Sequence, residues 1–149
     1  MARVKLQLPE SFSFQTEIPI RISDINYGGH LGNDAVLSIA HEARIRFFKS
    51  IHYTELDIEG TGILMTDAVV VYTSEGMYGD VLTILVTAAD PQTSSCDILY
   101  KFINTSTGKE IARVKPGIVF VDRSKKKIVP IPLEFITKCF GNDKSSSVA

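Results

Sequence analysis

Helical text over residues 33–50 is followed, from residue 61 to residue 122, by text written almost wholly as strands, and that order leaves few folds open. Val36, Ala40, Ala43 and Phe47 follow one another at helical spacing, while Leu37, Ile39, Ile45 and Phe48 widen the apolar surface. At 1.5 Å per residue the helix would be roughly 26 Å long. So broad an apolar arc predicts burial on most sides of the helix. Asn33 or Asp34 can cap its first turn by accepting bonds from orphaned backbone N–H groups. Residues 52–59 read as a short helix or a loop, ending at Gly60.

Before the helix, Phe12, Phe14, Ile18, Ile20 and Ile22 alternate with polar residues, the period of a half-buried strand. Pro19 lies within it and cannot donate to a ladder, which predicts an edge or a bulge. After Gly60, residues 61–75 are apolar on both parities, as a central strand would be. Residues 80–89 follow the Gly79-Asp80 turn. Cys96, Ile98, Tyr100 and Phe102 then alternate, and so do Ala112, Val114, Ile118 and Phe120 across a turn at 104–108. Pro116-Gly117 predicts a bulge in that last strand. One helix and strands that pair as meanders give an α+β fold, an antiparallel sheet curved around one long helix.

The whole chain, residues 1–149, is expected to be a single domain with its core at about 12–135 and a frayed tail over 141–149. Sixteen Lys and Arg against 17 Asp and Glu argue against a nucleic-acid partner. The first residues lack a signal-peptide run and no segment approaches a membrane span, so a cytoplasmic protein with no membrane partner is expected. Two cysteines are too few for a disulfide framework. The histidines and cysteines show no metal-ligand spacing, and no metal is expected. The basic run Arg123 to Lys127 reads first as a solvated hairpin.

The chemistry concentrates in residues 21–48, RISDINYGGHLGNDAVLSIAHEARIRFF. A polar strand end, a glycine loop and a helix N-terminus meet there. Backbone N–H groups of Gly28, Gly29 or His30 could face a carbonyl oxygen, aided by the positive end of the helix dipole. The same text also serves as a plain strand-to-helix connection, and spacing does not separate the two.

Arg21, Ser23, Asp24, Gly29, His30, Asn33 and Glu42-Ala43-Arg44 fall in register with R-x-S-D-x-D-x-x-G-H-x-N-N-A followed by a helix ending in E-A-R. That segment resembles the signature of hotdog-fold thioesterases of the 4-hydroxybenzoyl-CoA thioesterase type. The likeness continues through Gly79-Asp80, residues 95–102 and 108–122, and Val129-Pro130-Ile131-Pro132, covering roughly residues 12–135.

The resemblance implies a hotdog fold, a homodimer or homotetramer with active sites at the subunit interface, and hydrolysis of acyl-CoA thioesters. No cofactor is implied, the CoA thioester being the substrate. The family's second D-x-D carboxylate, its nucleophile or base, is Asn26 here. An amide takes no proton at neutral pH, though it can orient water through its carbonyl or donate to an oxyanion. The expected catalytic set is therefore Asn26, Gly28, Gly29, His30, Asn33 and Arg44. Asp34, Glu42 or His41 is the alternative base, although His41, which stands where the family commonly has Glu, reads more readily as a packed core or interface histidine than as a catalytic one. Asp24 matches the family's structural carboxylate, fixing the loop. Asp24-Ile25-Asn26 also begins the D-x-N-P-x-H of hotdog enoyl-CoA hydratases, but Tyr27 replaces the proline and His30 comes one residue late. An acyl-CoA-binding protein without catalysis is the remaining alternative. With balanced charge overall, any CoA phosphate would need local cations such as Lys125–Lys127.

Overall fold

In the computed structural model, which describes residues 3–148 and side chains as far as Gly141, the alternating text forms strand β1 (Phe14–Pro19). The strand lies at an edge of the sheet and Pro19 is its last residue, where the missing N–H does no harm. The expected alternation continues through the buried Ile20 and stops there. A single 3₁₀ turn at Ile22–Asp24 follows and leaves Ile22 exposed instead of inward.

Helix α1 (Asn33–Ser50) occupies the expected residues. Its N-cap is Gly32, and neither Asn33 nor Asp34 caps with its side chain. A Cβ at Gly32 would stand 2.8 Å from Asp34 Oδ1, so the chain turns into the helix through a residue that has none. Val36, Ile39, Ala40, Ala43, Phe47 and Phe48 are buried. Leu37 and Ile45 stay exposed, which limits the expected burial on most sides to one broad face.

The sheet wraps that face. Strands β2 (Gly62–Tyr72), β3 (Val81–Ala89), β4 (Ser95–Asn104) and β5 (Glu110–Asp122) give the order β1-β3-β4-β5-β2, antiparallel throughout, with the short β6 (Lys127–Ile128) pairing β5. Most even-numbered residues of β3, β4 and β5, among them Ile84, Ile98, Phe102, Val114 and Phe120, are buried in one core with α1. This is the hotdog arrangement.

Strand β2 departs from expectation. Its text is that of a central strand, yet among the described residues it pairs β5 alone, and it exposes Leu64, Met65 and Tyr72. The bulge expected at Pro116-Gly117 lies opposite them, in β2: the register slips between Met65 and Asp67. Gly117 makes room for it. Its N–H donates to Asp67 Oδ1 at 3.1 Å and its carbonyl accepts from Thr66 Oγ1 at 3.1 Å.

Residues 52–59 form loop, not helix, with a tight turn closed by the Thr54–Asp57 bridge. Helix α2 (Leu133–Val148), broken at Gly141 (φ 73°), was not anticipated, although Phe135, Ile136, Cys139 and Phe140 fall at helical spacing. Phe135 is fully buried, its ring 5.0 Å from Phe120 and 6.2 Å from Phe48. The fraying expected over 141–149 falls mostly on residues whose side chains lie outside the described ones.

Candidate functional site

The loop between β1 and α1 is tied from within. Asp24 is buried, and its carboxylate takes the Arg21 guanidinium (Nε at 3.2 Å, Nη2 at 3.1 Å) and the Arg21 N–H at 2.9 Å. Its carbonyl accepts from the N–H of Gly32 at 2.9 Å, so one residue holds both ends of the loop.

Asn26 organises what lies between. Its Oδ1 accepts from the N–H groups of Gly28 (3.0 Å) and His30 (3.2 Å), and its backbone carbonyl accepts from Gly29 (3.0 Å). All three amides expected to face an oxyanion are thus turned into the loop. Both lone pairs of Oδ1 are engaged as well, which leaves the Nδ2 amide as the polar group Asn26 can offer outward. His30 meets Glu75 at 3.3 Å in solvent, a pairing worth little.

Further along, Asn33 and Asp34 are exposed, and the Asn33 carbonyl accepts from the Tyr72 hydroxyl at 3.2 Å. Glu42 is committed to Arg46 at 2.8 Å, and Arg46 also reaches Thr16 Oγ1 and the Glu17 carbonyl, fastening α1 to β1.

A different cluster forms midway along α1. Arg44 is buried and donates from Nε to Glu55 Oε2 and from Nη1 to the Tyr100 hydroxyl at 3.3 Å. The other carboxylate oxygen of Glu55 lies 3.0 Å from His41 Nε2. Burial works against the Arg44 charge, but Tyr100 and Glu55 more than offset it and hold the guanidinium above its ordinary pKa. Burial pushes the Tyr100 phenol up, Arg44 pulling the other way, so it stays a neutral hydroxyl. The tight turn after α1 is what aims Glu55 back at the helix.

This cluster lines a cavity of about 500 Å³ that opens between α1 and the β2 edge. Leu37, Ala40, Met65, Ala68 and Pro116 form its apolar walls, and Ser38, His41, Arg44 and Glu55 its polar ones. Of the expected residues, Asn26, Gly28, Gly29 and His30 share the loop, whereas Arg44 and His41 share the cavity. From the start of α1 to His41 is about 12 Å along the axis at 1.5 Å per residue, so the two groups do not meet at one atom. Glu55, Tyr100 and Ser38 were missed. No spacing links Glu55 to the helix, and Tyr100 reads as one more core position in an alternating strand.

The basic hairpin lies elsewhere. Arg123, Lys126 and Lys127 ring a second cavity of about 380 Å³ floored by Leu64, Val121 and Ile128. Leu64 and Met65 are successive in β2 and face opposite sides of the sheet, so this cavity is on the side away from His41.

A core of this kind, an antiparallel sheet wrapped around one long helix, defines the hotdog class of fold. A family model described as the thioesterase-like superfamily matches residues 20–139, and the chain belongs to that family. Among solved structures it is similar to a 1,4-dihydroxy-2-naphthoyl-CoA thioesterase from Synechocystis, with a TM-score of 0.79 at 19% identity over 87% of this chain and 97% of the other. A gentisyl-coenzyme A thioesterase superposes with a TM-score of 0.72 at 18% identity, covering 82% and 98%. A probable thioesterase from Escherichia coli gives 0.70 at 16% identity, covering 87% and 97%. At these identities the likeness establishes the fold. No curated protein sequence matched the chain significantly. Among the described residues no helix is long and apolar enough to cross a membrane.

Proposed function

We propose that the protein hydrolyses an acyl-CoA thioester to free acid and thiol, with the reacting carbonyl in the cavity between α1 and β2. One observation carries the reading: apolar walls suited to an acyl group converge there on a buried, ion-paired cluster beside an accessible histidine. Membership of a thioesterase family supports the reaction class, and the CoA thioesters named for two structural relatives support the substrate class. Thiolate is a good leaving group, so the site needs to deliver water and shelter an oxyanion. The Ser38 hydroxyl, one turn before His41 on the same wall, is the donor within reach of that cavity. Asn26 serves the site indirectly by holding the loop that launches α1.

The protein acts as a homo-oligomer in this reading. Strand β2 carries central-strand text but has a free edge, and an apolar free edge invites a second strand. A second copy of β2 would cover it and complete the cavity wall. The free thiols Cys96 and Cys139 accord with a reducing compartment such as the cytoplasm.

The test is a panel of aliphatic and aromatic acyl-CoAs assayed for free thiol, run beside enoyl-CoA hydration followed by ultraviolet absorbance. Thiol release is expected. Loss of enoyl absorbance without thiol would replace the reading with a hydratase, and tight binding with neither reaction would replace it with a binding protein.

A further inference from the structure

In chemistry that removes a proton from water, a group with a free lone pair must stand where the substrate binds. The amide of Asn26 cannot serve. The carboxylates near α1 are committed or lie outside the cavity: Asp24 holds Arg21, Glu42 holds Arg46, and Asp34 sits exposed in the first turn. Glu55 does line the cavity, but its carboxylate is held between His41 and Arg44 and is the less accessible of the two groups, 19% exposed against 56% for His41.

His41 is different. Its side chain is 56% exposed and it forms part of the cavity wall. With the Glu55 carboxylate accepting at Nε2, the neutral ring carries its hydrogen on that nitrogen. Nδ1 is left with its lone pair. Arg44 and Tyr100 stand behind Glu55 and hold it in place. Among the described residues, β2 and β5 contribute the uncharged Met65, Ala68 and Pro116 to the cavity, and the charged groups lining it beside His41 are Glu55 and Arg44, which pair with each other.

We propose, on the footing of the thioesterase reading, that His41 is the general base of this protein and that Glu55 is its positioning residue. Nδ1 takes a proton from water as the water oxygen bonds to the thioester carbonyl carbon. The C–S bond of the resulting intermediate then breaks, and the imidazolium returns the proton to the departing thiolate. Acid and thiol leave, and the histidine is regenerated. The function that the family places on a loop carboxylate thus moves to the helix, which is consistent with an amide at position 26.

The experiment compares the full-length protein with His41→Ala and His41→Gln on whichever acyl-CoA the parent cleaves, circular dichroism confirming the fold of each. Glutamine keeps a donor for Glu55 but has no basic nitrogen. Both variants are expected to lose about 10²–10⁴-fold in kcat. Free imidazole is expected to restore part of the loss in His41→Ala in proportion to its concentration, an effect a structural histidine would not show. Either variant as active as the parent overturns the assignment, and so does a loss in His41→Ala that imidazole leaves untouched, while the thioesterase reading stands in both cases. A parent that cleaves no acyl-CoA overturns that reading and this one together.

Discussion

Arg44 and Glu55 form an ion pair across the junction between α1 and the turn that follows it, with the guanidinium almost wholly inside the protein (side chain 6% exposed) and the carboxylate at its margin (19%). The pair lies between Tyr100 in the core and His41 at the cavity. It therefore couples helix, sheet and candidate site.

Removing one member strands the other. Glu55→Ala leaves a buried guanidinium whose remaining partner is the Tyr100 hydroxyl, and losing one side of a buried pair costs about 3–5 kcal/mol. We expect a fall in stability toward the lower end of that range, because Glu55 keeps some solvent. Urea unfolding measures it. The double variant Arg44→Met/Glu55→Leu should recover part of the loss, since no charge is then left unpaired, although the buried Tyr100 hydroxyl loses its Arg44 partner.

Asn26 offers a sharper contrast. Asn26→Asp still accepts from the Gly28 and His30 amides, whereas Asn26→Ala abandons both. With Asn26 acting as the loop's organiser, the aspartate variant should retain or raise acyl-CoA hydrolysis and the alanine variant should lose most of it. Steady-state kinetics on the two variants decides this. An aspartate variant as poor as alanine would mean that the Nδ2 donor, not the loop, is what matters.

Gly117→Ala tests the bulge that shapes the cavity wall. The added Cβ would stand 2.6 Å from Asp67 Oδ1 and 2.9 Å from Thr66 Oγ1, closer than ordinary packing allows. Forcing those groups aside should cost about 1–3 kcal/mol. Thermal unfolding would register it as a lowered Tm. An unchanged Tm would show that β2 gives way freely there.

The unpaired β2 edge predicts association. Sedimentation at micromolar concentration should find a dimer or tetramer. A monomer would leave the exposed Leu64 and Met65 unexplained and would require a cavity complete within one chain.

Much of the architecture was legible beforehand because it rests on local periodicity. Residues 33–50 read as a helix because their apolar positions recur at its period, and the alternating runs in β3, β4 and β5 admit one inward face each. The loop signature was legible too: Asp24 and Asn26 stand among glycines at a helix start. What that loop does with its polar atoms was not. Whether the amides of Gly28 and His30 point outward or onto Asn26 depends on backbone torsions that residue types alone leave open. Helix α2 had its spacing on display, but two prolines just upstream masked it as a closing segment.

The chain's own letters determined the class of fold and the family, because hydrophobic period and a local motif survive any reading of the sequence. Tertiary structure alone decided which polar groups meet at the candidate site. It brought Glu55 from a nondescript turn and Tyr100 from a core strand to Arg44 and His41, residues 11 to 59 positions away in the chain. Contacts of that kind arise from how a sheet curves over a helix, and no spacing along the chain encodes them. It also turned a strand with central-strand text into a free edge, since whether an edge is covered depends on which strands, or which second copy, come to lie beside it.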